Sequence, residues 1–229
     1  MMRILCYGAS NTWGFRPNSF NARTGLAERY DFSDRWTGIL ANEMVGCEII
    51  EAGLNGRTTI FDDEVAKKPM RNGLAYLPLF LETHYPLDIV IFMLGTNDIK
   101  TQYKKSPDEI ADGMRHLIQF VVKSNKGRNG LSPKILVISP QPIISAGLSK
   151  IYYDECSIEK SVILPKVFEK VCIETGCDFL DISKSVKSSK RDGVHLGLSE
   201  HRKLANIIKE KLLNIFINLP IECKVKAHE

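Results

Sequence analysis

Five short apolar runs, each followed by a longer amphipathic stretch, constrain the fold of this chain more than any other feature. The runs cover residues 4–7, 48–51, 89–94, 135–139 and 179–180, and read as strands. The stretches between and after them, 36–45, 72–83, 107–124, 159–175 and 199–217, read as helices. In 107–124 the apolar Ile110, Met114, Leu117, Ile118 and Val121 recur at spacings of three and four, behind a proline suited to a first helical turn. Strand–helix alternation with near-continuous apolar strands such as IVIFML predicts an α/β fold, a parallel sheet covered on both faces.

Composition sets the outer limits. A chain of 229 residues, 44% hydrophobic and 25% charged, suits one globular domain over residues 1–229, with a short flexible tail at about 219–229. Thirty-one basic and 27 acidic residues leave a net charge of +4, too weak and too interspersed to argue for nucleic acid or a membrane surface as partner. The basic clusters Lys67-Lys68, Lys104-Lys105 and 187–191 read as solvated faces. Cysteines at 6, 47, 156, 172, 177 and 223 form no CxxC pair, and no histidine stands at zinc-ligand spacing, so no metal site is expected. Reduced thiols, an N-terminal apolar stretch too short for a signal peptide and no run of membrane-spanning length together predict a soluble, cytoplasmic protein.

Two segments break the alternation. Residues 15–35 are rich in Asn, Arg and Gly, and 140–158 carry two prolines and a glycine. Both exceed ordinary connections between a helix and a strand, which makes them candidates for shaping a pocket or a subunit contact.

Four loops then supply chemistry: Gly8-Ala9-Ser10-Asn11 after the first strand, 52–57 with Gly53 and Gly56 after the second, Gly95-Thr96-Asn97-Asp98 after the third, and Asp192-Gly193-Val194-His195 before the last helix. In a parallel sheet the three loops that follow strands emerge on one edge, where open α/β folds keep their sites. A serine hydroxyl needs a base to become a nucleophile, and the imidazole of His195 is suited to that task. Asp192, three residues earlier, can hold the other imidazole nitrogen. The Ser10 and Gly56 backbone N–H groups and the Asn97 amide are candidate donors to an oxyanion. Each residue also has a plain structural reading: Ser10 or Asn11 as a helix cap, Asp192-Gly193 as a turn, Asn97-Asp98 as a cap. Their joint placement beside strands and the last helix favours the catalytic reading.

These residues resemble the four sequence blocks of the SGNH (GDSL-type) hydrolases. Further similarity in Thr12-Trp13-Gly14, Arg35-Trp36-Thr37-Gly38, Arg57-Thr58-Thr59, Tyr76-Leu77-Pro78 and Met93 to Asp98 points to the arylesterase and acyltransferase branch, over nearly the whole chain. The resemblance implies a flavodoxin-like three-layer α/β/α sandwich with a five-stranded parallel sheet. It implies Ser10 as nucleophile, His195 as base, Asp192 as its orienting acid, and Gly56 and Asn97 as oxyanion donors beside the Ser10 amide. It further implies hydrolysis of short-chain acyl or aryl esters, transfer of the acyl group to alcohols in some members, no cofactor, a small-molecule ester as partner, and a homo-oligomer. Asn11, Trp13 and Asn55 are the expected pocket residues.

One position departs from the family pattern: Ala9 stands where an aspartate usually precedes the serine, which raises the alternative of a catalytically impaired carbohydrate- or protein-binding module. A carbohydrate acetylesterase is the other alternative. The nucleotide-binding patterns GxGxxG and GxxxxGK[ST] and the α/β-hydrolase pattern GxSxG are all absent after the first strand.

Overall fold

The computed structural model describes residues 1–65 and 68–217; Lys67 and the expected tail at about 219–229 lie outside the described residues. The chain runs β1 (Met2–Gly8), α1 (Ser10–Trp13), α2 (Trp36–Glu43), β2 (Cys47–Gly53), α3 (Gly73–Thr83), β3 (Ile89–Met93), α4 (Pro107–Ser124), β4 (Lys134–Ser139), α5 (Ser149–Tyr152), α6 (Glu155–Thr175), β5 (Asp178–Asp181) and α7 (Leu198–Ile217). The five strands form one sheet in the order β2-β1-β3-β4-β5. Every pairing is parallel, for example Leu5 beside Val90 and Tyr7 beside Ala52. The predicted doubly covered parallel sheet is what the structure contains.

Alternation along the strands divides the core into two layers. Leu5, Tyr7, Val90, Phe92, Ile135 and Val137 face one side, against Leu77 and Leu81 of α3, Leu117 and Val121 of α4 and Leu164 and Phe168 of α6. Ile4, Cys6, Ile89, Ile91, Leu136 and Ile138 face the other, against Trp36 and Leu40 of α2 and Leu204, Ile208 and Leu212 of α7. Both faces of the central strands are therefore apolar, which is why β3 reads as an unbroken hydrophobic run.

Helix α4 starts where its sequence predicts. The Ser106 hydroxyl accepts from the Glu109 amide at 3.2 Å and the Glu109 carboxylate accepts from the Ser106 amide at 2.9 Å, with Pro107 in the first turn. Helix α6 begins at Glu155, four residues before the expected start at 159. Its cap is Asp154, which accepts from the Ser157 amide at 2.7 Å, and its first inward residues are Ser157 and Ser161, so no apolar rhythm marks that turn. Segment 140–158, expected as a loop, accordingly holds α5 and the opening of α6.

Segment 15–35 is tied to the sheet through one carboxylate. Glu51 of β2 accepts a two-pronged pair from Arg35, a further hydrogen bond from Arg29 and one from Thr37 of α2. Burial alone would push this carboxyl up; the arginines and Thr37 outweigh that and hold it below the usual carboxylate range.

Candidate active site

At the carboxyl end of β1 the chain turns tightly into α1. A Cβ on Gly8 would stand 2.0 Å from the Thr12 hydroxyl oxygen, so this turn requires a residue without one. Ala9 occupies the N-cap and Ser10 the first helical position, with no side-chain cap bond. Ser10 and Asn11 are thus not caps. Backbone bonds from Trp13 to Ala9 and from Gly14 and Phe15 to Ser10 close the turn, and the Ser10 hydroxyl lies 2.9 Å from His195 Nε2.

The Asp192–His195 turn presents the base from the opposite side. Gly193 has φ +78°, and a Cβ there would stand 2.2 Å from the Ile144 carbonyl oxygen. Asp192 Oδ1 accepts from the Val194 and His195 amides at 3.0 and 2.9 Å, leaving Oδ2 to meet His195 Nδ1 at 2.7 Å. Ser10, His195 and Asp192 are all buried. Burial pushes the Asp192 carboxyl up, but the bond to His195 and the two amides outweigh it and hold it below the usual range. An ionised Asp192 fixes the imidazole proton on Nδ1, so Nε2 offers its lone pair to Ser10.

Two neighbours fix this turn in space. The Phe15 ring stacks on the imidazole, centroids 3.8 Å apart. The Asn11 side-chain oxygen accepts from the Leu196 amide at 3.1 Å, and its nitrogen lies 3.5 Å from the Val194 carbonyl, which also accepts from Gln141 at 2.7 Å.

Beside Ser10 lie donors without an internal use. Gly56 has φ +83°, and among the described residues neither its N–H nor that of Ser10 has a protein acceptor. Asn97 Nδ2 donates one hydrogen to the Arg57 carbonyl at 3.0 Å, which orients the amide and leaves its second hydrogen available. Arg57 holds this loop to the sheet: its buried guanidinium donates to the Gly8 and Ala52 carbonyls and lies over the Tyr7 ring.

A cavity of about 200 Å³ opens over Ser10, Gly56, Asn97 and His195. Phe15 and Phe20 from segment 15–35 and Leu148, Tyr152 and Tyr153 from segment 140–158 line it, so both long segments shape the pocket. Of the three expected pocket residues, Asn55 lines it, whereas Asn11 and Trp13 do not. Asn11 is buried and committed to the His195 loop; Trp13 is half-buried beneath the Arg29 guanidinium, 5.3 Å from its ring centroid. Sequence reasoning missed Lys68, Arg71 and Lys100 as lining groups. Lys68, read from sequence as part of a solvated basic face, is exposed yet borders the cavity. Lys100 had a usable signal, standing three residues after Asn97 in the loop that follows β3, where its amide bonds the Asn97 carbonyl at 3.2 Å. Among the described residues no group of three or more His, Cys, Asp or Glu could hold a metal ion.

A parallel α/β sandwich whose strand ends carry a buried Ser–His–Asp chain beneath a small cavity is the architecture of an SGNH-type ester hydrolase. The chain belongs to the GDSL-like lipase/acylhydrolase family, whose model matches residues 6–202. Among solved structures it is similar to the native aryl esterase of M. smegmatis, with 36% identity over 93% of this chain and 99% of that one and a TM-score of 0.86. It is similar to Est24, a carbohydrate acetylesterase from Sinorhizobium meliloti, at 33% identity over 94% and 100% of the two chains with a TM-score of 0.85. A putative arylesterase from Agrobacterium tumefaciens str. C58 matches at 34% identity over 94% and 100%, with a TM-score of 0.81. No curated protein sequence matches the chain. Family and fold make the protein a carboxylic ester hydrolase.

Proposed function

We propose that the protein is a serine esterase acting on short-chain acyl or aryl esters through an acyl-enzyme on Ser10, within a single catalytic domain spanning residues 1–229. The observation that carries this reading is the continuous hydrogen-bonded chain from Asp192 through His195 to Ser10, with Gly56 and Asn97 lining the same cavity. His195 Nε2 takes the Ser10 proton as Oγ attacks the ester carbonyl. The Ser10 and Gly56 amides and Asn97 Nδ2 receive the oxyanion, where losing one donor costs about 3–4 kcal/mol of barrier. His195 then returns the proton to the leaving alcohol, and the acyl group stays on Ser10. Water, deprotonated by His195, attacks that acyl group, and as the bond to Ser10 Oγ breaks and the acid leaves, His195 returns the proton to Oγ. An alcohol in place of water gives acyl transfer.

The small cavity supports short acyl chains, and the carbohydrate acetylesterase relatives favour acetylated sugars as the second substrate reading. The five described cysteines are unbridged, which supports a reducing, cytoplasmic setting, and no described helix is long and apolar enough to cross a membrane. Exposed Leu26 and Phe32 on segment 15–35 support a homo-oligomer with that segment at its contact.

The test is hydrolysis of p-nitrophenyl acetate by wild type and Ser10→Ala, with intact-mass analysis after a fluorophosphonate probe. We expect turnover and one adduct on Ser10 in the wild type and neither in the folded variant. A well-folded wild type that is neither labelled nor active overturns the reading in favour of a binding module.

A further inference from the structure

The wall of the cavity beyond the reacting atoms is cationic. Lys68, Arg71 and Lys100 all line it, against one carboxylate, Asp63, whose Oδ1 accepts from Gln102 at 2.8 Å. Among the described residues none of the three cations makes an ion pair with a carboxylate. Lys100 instead lies over the Tyr152 ring, 5.3 Å from its centroid. The Arg71 guanidinium spends one nitrogen on the Pro69 carbonyl, and its buried Nε has no partner among the described residues. That Nε stands 3.2 Å from where a Gly56 Cβ would be, which puts the guanidinium directly beside a candidate oxyanion donor.

A neutral acetyl ester gives these groups nothing to neutralise. Arg71 and Lys100 stand half-buried in the cavity wall with Lys68 exposed beside them, and an anion entering among them gains attraction that water would otherwise screen. An arginine with free N–H groups further suits a planar carboxylate, which accepts two parallel hydrogen bonds.

We propose that this site selects esters bearing a carboxylate, held by Arg71, Lys100 and Lys68 while the ester carbonyl sits over Ser10. The substrate class is then either an O-acylated hydroxy acid, with the anion on the alcohol side, or the half-ester of a dicarboxylic acid, with the anion on the acyl side. This inference rests on the esterase reading above and deepens it.

Paired kinetics test it. For the alcohol side, 4-acetoxybenzoate is compared with 4-methylphenyl acetate; for the acyl side, monoethyl succinate is compared with ethyl valerate. We expect kcat/KM for the charged ester to exceed that of its neutral partner by about tenfold in at least one pair at low salt, with the ratio falling as ionic strength rises. The pair that shows the preference identifies the side. Within each variant the same ratio is read, so a general loss of activity does not mask the result. Arg71→Gln and Lys100→Gln should each lower the ratio several-fold, and Arg71→Lys should restore part of it. A wild type active on the neutral esters with both ratios at or below one overturns the proposal and leaves the esterase standing. A wild type inactive on all four esters overturns the esterase reading itself.

Discussion

The His195 imidazole lies against the Phe15 ring with centroids 3.8 Å apart and planes 15° from parallel. Phe15 opens segment 15–35 and is bridged to Arg29, which in turn reaches Glu51, so the ring against the base is tied to strand β2. The stack limits imidazole rotation about the Asp192 bond. Phe15→Leu should lower kcat by about 2- to 12-fold, the range that about 0.5–1.5 kcal/mol of aromatic contact allows, and Phe15→Tyr should retain most of it. Steady-state kinetics that leave kcat unchanged in Phe15→Leu would remove the positioning role.

The Asp192–His195 turn admits no side chain at its second residue. Gly193→Ala meets both a positive φ and the Ile144 carbonyl oxygen, so the turn must shift. We expect a stability loss above about 1 kcal/mol in denaturant unfolding. kcat should fall on the order of 100-fold, because a displaced base no longer reaches Ser10. Normal turnover in this variant would show that the base tolerates displacement.

Asp98 gives a pH signature in stability. It is fully buried, its Oδ1 accepts from the Thr59 amide and hydroxyl at 2.8 and 2.6 Å, and its Oδ2 has no partner among the described residues. Burial pushes its carboxyl up to about 6, against the opposing pull of Thr59 and Lys100. A raised carboxyl binds its proton more tightly in the fold than in the unfolded chain, so stability present below about pH 4 is lost as pH rises through about 6. The swing is up to about 3 kcal/mol for a shift of this size. Thermal unfolding between pH 4 and 7 should show the decline in wild type and a flatter curve in Asp98→Asn, which keeps the acceptor for Thr59 without ionising. Parallel curves for the two proteins would contradict the assignment.

The sheet, the order of its helices and four buried members of the candidate site were legible in sequence because each leaves a local signature. Strands β1 and β3 are continuous apolar runs, α4 has a clean period and a capping pair, and Ser10, Asn97 and Asp192–His195 sit in short turns directly beside such elements. What escaped depends on distance along the chain. Phe15 meets His195 across 180 residues, and nothing in its neighbours marks it as a stacking partner. Asn11 was expected in the pocket, yet its side-chain amide serves a loop 185 residues away. Lys68, Arg71 and Lys100 come from two separate segments, and isolated cations in polar stretches look alike whether they face bulk solvent or a cavity. The start of α6 was missed because it is built on an aspartate and two serines rather than on hydrophobic spacing.

The Asn11 link has a consequence for how this site tolerates sequence drift. Its oxygen takes an amide hydrogen from position 196 and its nitrogen approaches a carbonyl at 194, so both partners are main-chain atoms. Residues 194 and 196 can therefore exchange side chains of similar bulk without loosening the register between nucleophile and base. Position 11 has no such latitude, because serine and aspartate each lack either the reach or the paired donor and acceptor. Random mutagenesis under selection for turnover should consequently leave a lopsided record, with variation accumulating on the histidine side of the link and position 11 staying fixed.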